Sequence, residues 1–239
     1  MEIIVIASGK GGVGKTSMAV NLSIAMVRNS GLRVALVDAD IGTANVNLLL
    51  GVSTKWTIRD LQAGMAPMEV GREIYGVNLY AGESGAEPDG GYDIVKIVEM
   101  VRDIDPDVIV LDTHPGVSVS TLTAISTGDH VIIISSPEIT AVTDTYQLIK
   151  KIGNKRQRIS ILMNESNEKL GYAKANLIIN VAKTHLQRNI HYLGNIRYSG
   201  LVREAVAEQI PFYVLYPVSG VGEDLLRICG KILEEKREG

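Results

Sequence analysis

The run Gly9-Lys10-Gly11-Gly12-Val13-Gly14-Lys15-Thr16 fits the pattern Gly-x4-Gly-Lys-Thr, a glycine-rich loop that joins a strand to a helix and wraps a phosphate. Glycines lack the Cβ atoms that would stop the backbone from curling, so the N–H groups of Gly11, Gly12, Val13 and Gly14 can converge on phosphate oxygens. The helix that follows aims its positive end at the same place. In such a loop Lys15 reaches the β- and γ-phosphates as a point charge, the Thr16 hydroxyl takes a coordination position on Mg²⁺, and Ser17 lies near the α-phosphate. The flanking sequence supplies the context that the motif requires. Residues 2–7 are an apolar, β-branched run that reads as a buried strand, and 16–28 carry Met18, Leu22, Ala25 and Met26 at helical spacing. A nucleoside triphosphate site follows.

Reading outward, β-branched runs recur at 33–38, 77–81, 108–112, 131–135, 159–164 and 190–196. Helix-period segments at 92–104, 118–126, 140–151 and 173–186 lie between them, which predicts βα units. Strands apolar on both faces need helices on both sides. The expected fold is α/β, a doubly wound and mostly parallel sheet with helices on both faces, binding its ligand at the carboxyl ends of the strands. Residues 82–91 hold four glycines and a proline and read as an exposed loop. No obvious linker interrupts the 239 residues, 46% of them apolar, so one domain over 1–239 is expected.

Composition narrows the setting. A net charge of −3 gives no global pull toward nucleic acid or membrane, so nucleic acid is not an expected partner. Cys229 is the single cysteine, which excludes an intrachain disulfide and fits a reducing, cytoplasmic compartment. No apolar run approaches the roughly 20 residues that span a bilayer.

Strand ends carry the remaining chemistry. The run 34–37 ends in Asp38-Ala39-Asp40, and 108–111 ends in Asp112. An aspartate there can simply cap a turn, but beside a phosphate loop these carboxylates can face Mg²⁺ or the attacking water. Asp112 fits the Walker B pattern, holding the magnesium hydration shell. Asn164, at the end of 159–164, has the donor and acceptor to read a base or to start a turn.

Lys10 is not required of an ordinary phosphate loop, and the segment from Lys10 to Thr16 resembles the deviant loop of the MinD/ParA family of ATPases. The resemblance implies an ATP-dependent homodimer in which Lys10 reaches the nucleotide held by the other subunit. It implies a switch I at Asp38 to Asn45, with Asp40 positioning the lytic water and Asp38 supporting Mg²⁺. Gly116 matches the switch II glycine whose N–H meets the γ-phosphate, and Asn164 matches an asparagine that bonds adenine. The pattern departs at His114, where relatives carry a small residue or proline; it is read here as a solvent-facing loop histidine outside the catalytic set. Segments 45–51 and 137–144 look like the MinD and flagellar-number-regulator branch, which places Glu138 and Asp144 near the dimer face.

The function implied is a slow, Mg²⁺-dependent ATPase, stimulated by an unidentified activating protein, that uses ATP and ADP states to position another assembly. Relatives end in a basic amphipathic helix that docks on lipid. Here 221–236 has apolar helical spacing, but Glu223, Asp224, Glu234 and Glu235 offset its cations, so a packing helix is expected and membrane contact is weakly supported. Lys150, Lys151, Lys155, Arg156 and Arg158 form a basic segment at a helix end, where cations suit the dipole without any polyanion. Two alternatives stay open, with a small-molecule kinase ranked below them. A metallocluster or nickel-delivery ATPase would want paired cysteines, a DNA-partition ATPase would want a basic surface, and a small-molecule kinase would leave Lys10 without a task.

Overall fold

The computed structural model describes residues 1–40, 45–83, 85, 91–152 and 157–238, with side chains as far as 234. The chain runs β1 (Glu2–Ala7), α1 (Lys15–Ser30), β2 (Val34–Ala39), α2 (Val46–Leu49), α3 (Ile58–Gln62), α4 (Pro67–Val70), β3 (Arg72–Ile74) and β4 (Val77–Tyr80). It continues through α5 (Ile94–Arg102), β5 (Val108–Thr113), α6 (Val119–Thr127), β6 (His130–Ser135), α7 (Ile139–Ile152), β7 (Arg158–Met163) and α8 (Glu168–Leu186). The last elements are β8 (His191–Asn195), α9 (Gly200–Ala207), α10 (Phe212–Leu215) and α11 (Gly220–Glu238).

Among the described residues the strands form one eight-stranded sheet in the order β3-β4-β2-β5-β1-β6-β7-β8. Every pairing is parallel except β3 with β4. Period-two alternation sends Ile4, Ile6, Leu36 and Val110 to one face, where α1 and α11 cover them with Met18, Leu22, Leu225 and Ile228. Ile3, Val5, Val37 and Leu111 go to the other face, under Ile97 of α5, Ile125 of α6, Leu148 of α7 and Ile178 of α8. Both faces are therefore buried, as a doubly wound sheet requires.

β1 lies between β5 and β6, so the chain leaves it for both sides of the sheet and opens a crevice at its carboxyl end. The phosphate loop begins there. β3 is the antiparallel exception at one edge, joined to β4 by Tyr75-Gly76 with φ of 53° and 83°, the twist of a tight hairpin.

α11 buries Val221, Leu225, Ile228, Cys229 and Ile232 against the sheet. It is the expected packing helix, and its apolar stripe is occupied. Among the described residues no helix is long and apolar enough to cross a membrane. Ile41, Gly42, Thr43 and Ala44 of the expected switch I, Lys155 and Arg156 of the basic segment, and residues 84 and 86–90 of the glycine-rich loop lie outside the described residues. Arg158 is turned inward to Glu2, its Nη2 donating to Oε1 at 2.6 Å.

Candidate nucleotide site

Two glycines of the loop answer to close neighbours. A Cβ on Gly9 would stand 2.3 Å from the backbone carbonyl carbon and oxygen of Asp144, so the absence of a side chain lets the loop sit directly on α7. Gly14 takes a left-handed φ of 87° as it enters α1, and a Cβ there would strike the Asn164 amide at 2.4 Å. That amide donates from Nδ2 to the Val13 carbonyl at 2.9 Å, so the end of β7 braces the loop. The loop opens onto a cavity of about 550 Å³ lined by Gly11, Gly12, Gly14, Lys15, Thr16 and Ser17, with Asp40, Asn45 and Pro115 on its other walls. This volume falls in the roughly 300–1,000 Å³ range of small-molecule sites.

Beneath the cavity lies a charged cluster. Lys15 Nζ donates to Asp112 Oδ1 at 2.6 Å and lies 3.6 Å from Asp40 Oδ2, with all three side chains buried. Asp112 Oδ2 is buried with no hydrogen-bond partner among the described residues. A buried carboxylate oxygen without a partner is costly, and a metal-bound water would satisfy it, so the donor set of Thr16 and Asp112 fits Mg²⁺. Asp38 accepts the N–H of Asp40 at 3.2 Å on one oxygen and that of Val46 at 3.3 Å on the other. It thereby holds the chain that follows β2. Burial, and then the Asp112 charge, push the Asp38 carboxyl up to about 8. Burial also raises Asp112, while Lys15 and then Thr16 pull it back down.

One expectation changes at the rim. His114 is not a solvent-facing side chain: its Nδ1 lies 2.8 Å from Asp40 Oδ1 and the ring is only 34% exposed. The turn after β5 brings it back over the end of β2, a proximity set by sheet order that sequence spacing could not show. Gly116 has a φ of 84° and its N–H donates to the Ser8 carbonyl at 2.8 Å, so the turn after β5 is pinned to the start of the phosphate loop. Lys10 Nζ bonds within its own chain to Glu138 Oε2 at 2.8 Å and Thr140 Oγ1 at 3.0 Å, at the exposed start of α7. Such an exposed pair contributes about 0–1 kcal/mol and exchanges readily for a stronger anion.

A second cavity of about 280 Å³ adjoins the first through Gly12, Gly14, Ser17 and Val206. Asn164, Arg197, Tyr198, Ser199, Val202 and Arg203 also line it. Sequence reading found only Asn164 of these. The others belong to α9 and its approach, whose one local signal is the cap Ser199, its hydroxyl accepting from the Leu201 N–H at 3.3 Å.

A phosphate loop at the switch point of a doubly wound sheet, with a buried lysine–aspartate pair beneath it, defines a P-loop NTPase. The ParA family model, described as the NUBPL iron-transfer P-loop NTPase, matches residues 1–233. The chain belongs to the ParA/MinD family of P-loop NTPases, which use ATP and Mg²⁺. It is 30% identical to the flagellum site-determining protein YlxH of Helicobacter pylori over 253 aligned positions, covering 100% of this chain and 84% of that one. It is 32% identical to the antiactivator FleN of Pseudomonas aeruginosa over 233 positions, 92% of this chain and 81% of that one. Among solved structures, the septum site-determining protein MinD of Pyrococcus horikoshii, complexed with Mg-ADP, superposes with a TM-score of 0.76. Identity there is 24%, with 98% of this chain and 97% of that chain covered.

Proposed function

We propose that the protein is a Mg²⁺-dependent ATPase, one domain over 1–239, that dimerises with ATP and uses hydrolysis to control the placement of another cellular assembly. The observation that carries the ATPase reading is the buried Lys15–Asp112–Asp40 cluster under the phosphate loop, with a second lysine, Lys10, at the rim. Relatives named for flagellar site determination and for antiactivation support the positioning role, and the proposal adds a protein partner that stimulates turnover. The setting is the cytoplasm.

The loop N–H groups from Gly11 to Gly14 bind phosphate oxygens, and Lys15 turns from Asp112 to the β- and γ-phosphates. Thr16, with Asp112 and Asp38 acting through the hydration shell, would hold Mg²⁺, which when bound would supply neutralisation of charge on the phosphoryl oxygens. Asp40 Oδ2 orients the attacking water, and Gly116 exchanges the Ser8 carbonyl for the γ-phosphate. Asn164 braces the loop through its amide and turns its Oδ1 acceptor to the adenine amino group. Lys10 leaves Glu138 and Thr140 to meet the nucleotide of a second copy, which makes the dimer conditional on ATP.

Metallocluster delivery is not favoured. Cys229 is buried, and burial pushes its thiol up to about 11, far from a metal-binding thiolate. Steady-state phosphate release with Mg-ATP tests the ATPase reading. Turnover abolished by Lys15→Ala, and by Asp40→Ala with ATP binding retained, is expected. Unchanged turnover in Lys15→Ala would remove this site from the reaction.

A further inference from the structure

We propose that His114 is a positioning residue that holds Asp40 in its water-orienting pose and makes that pose depend on the loop carrying Gly116. The inference rests on the role given to Asp40 above. Its starting point is the 2.8 Å contact between His114 Nδ1 and Asp40 Oδ1. An ionised carboxylate only accepts, so the proton of this bond sits on Nδ1 and the ring donates. Asp40 is 5% exposed and its other oxygen lies 3.6 Å from Lys15 Nζ. The two carboxylate oxygens are thus approached by different elements, the phosphate loop helix and the turn after β5.

The donor itself is anchored. The His114 carbonyl accepts from Thr121 Oγ1 at 2.9 Å, and the Ser118 hydroxyl accepts from the Thr121 N–H at 3.0 Å, which fastens this turn to the first turn of α6. Two residues beyond His114, the Gly116 N–H is bonded to Ser8 at 2.8 Å. When Gly116 changes partner, the segment bearing His114 moves with it. Asp40 is carried along through a bond rather than by passive packing. The carboxylate therefore reaches its working pose only when the Gly116 loop does.

A charge-assisted hydrogen bond of this kind corresponds to a loss of roughly tenfold to a hundredfold in rate when it is removed. His114→Ala is expected to lower kcat by that factor while KM for ATP and the Kd of a fluorescent ADP analogue stay within about twofold. His114→Asn, whose amide nitrogen can stand where Nδ1 does, recovers most of the rate, and His114→Leu does not. A kcat that rises in His114→Ala overturns the proposal, showing the pair to be a brake. Equal losses in the Asn and Leu variants overturn it as well.

A readout independent of turnover keeps the two claims apart. In ¹⁵N spectra of the histidine rings, assigned by the His114→Asn variant, His114 should be protonated at Nδ1. Asp40→Ala should shift it toward the Nε2–H form that a neutral imidazole ordinarily prefers. An Nε2–H ring in the unaltered protein overturns the positioning bond even if Asp40 proves essential. Hydrolysis that survives Asp40→Ala instead overturns the role of Asp40, and with it the catalytic half of this proposal, whatever the tautomer.

Discussion

Adding one methyl group at Gly9 tests how the phosphate loop is seated. The Cβ of an alanine would lie 2.3 Å from the Asp144 carbonyl carbon and oxygen and 2.5 Å from the Thr145 nitrogen. Ordinary contact begins at 3.4 Å, so the loop and α7 must part by about 1 Å. The obstacle is helix backbone, which cannot rotate away as a side chain would. Overpacking of this kind costs about 1–3 kcal/mol, and for a chain of this size each kcal/mol lowers Tm by roughly 2–4 °C. Gly9→Ala should therefore lose roughly 2–12 °C in calorimetry. Gly11→Ala is the control, since its Cβ would meet nothing nearer than Pro115 Cγ at 3.8 Å, and its Tm should stay within about 1 °C. A displacement of 1 Å at a phosphate site can also cost about a hundredfold in rate, so Gly9→Ala should bind ADP weakly even where it is folded. A Gly9→Ala protein with unchanged Tm would refute the reasoning, because the loop would then not be seated on α7.

Other consequences concern buried charge. Lys15→Met leaves Asp112 and Asp40 facing each other without their cation, a change expected to cost about 3–5 kcal/mol in urea unfolding. Adding Asp112→Asn should recover more than half of it, and no recovery would show that the lysine stabilises by packing instead. His130 is fully buried, with Nδ1 accepting from Arg158 at 3.0 Å and Nε2 meeting Ser160 Oγ at 2.8 Å, an arrangement only the neutral ring allows. Burial, then the charges of Arg158 and His191, lower its pKa to about 3, so below the ordinary value of 6.5 the unfolded chain binds a proton that the folded one refuses. That contribution to stability is whole above pH 6.5 and falls as pH drops through the window toward 3, by about 1.4 kcal/mol per unit. Between pH 6.5 and pH 5, His130→Gln should lose about 2 kcal/mol less stability than the unaltered protein, and parallel pH curves would contradict the assignment.

Strand positions were legible because fully buried parallel strands are written as continuous β-branched runs: β1, at Glu2–Ala7, matches its expected bounds, β6 differs by a residue at its start, and β7 by a residue at each end. β3 was not, because three residues carry little periodicity and the turn joining it to β4 uses Tyr75-Gly76 rather than Asn-Gly. The helix at α8 begins at Glu168, five residues before its expected start, because the cap Asn167 sets its first turn ahead of the apolar pattern. Within the site, residues contiguous in the loop could be read directly. The Asp40–His114 bond joins residues 74 positions apart, across neighbouring strand ends, and only the order β2-β5-β1 makes them meet. Lys10 on Glu138, 128 positions away, is hidden for the same reason.

Conversion of this chain into a dimer by ATP, through Lys10, is the core of the proposed function. It is tested most directly by light scattering of the Asp40→Ala protein with Mg-ATP, with Mg-ADP, and with Lys10→Ala added. Twice the chain mass of 25.8 kDa is expected with ATP alone, and a single chain mass with ADP or without Lys10. One mass under all three conditions would contradict it.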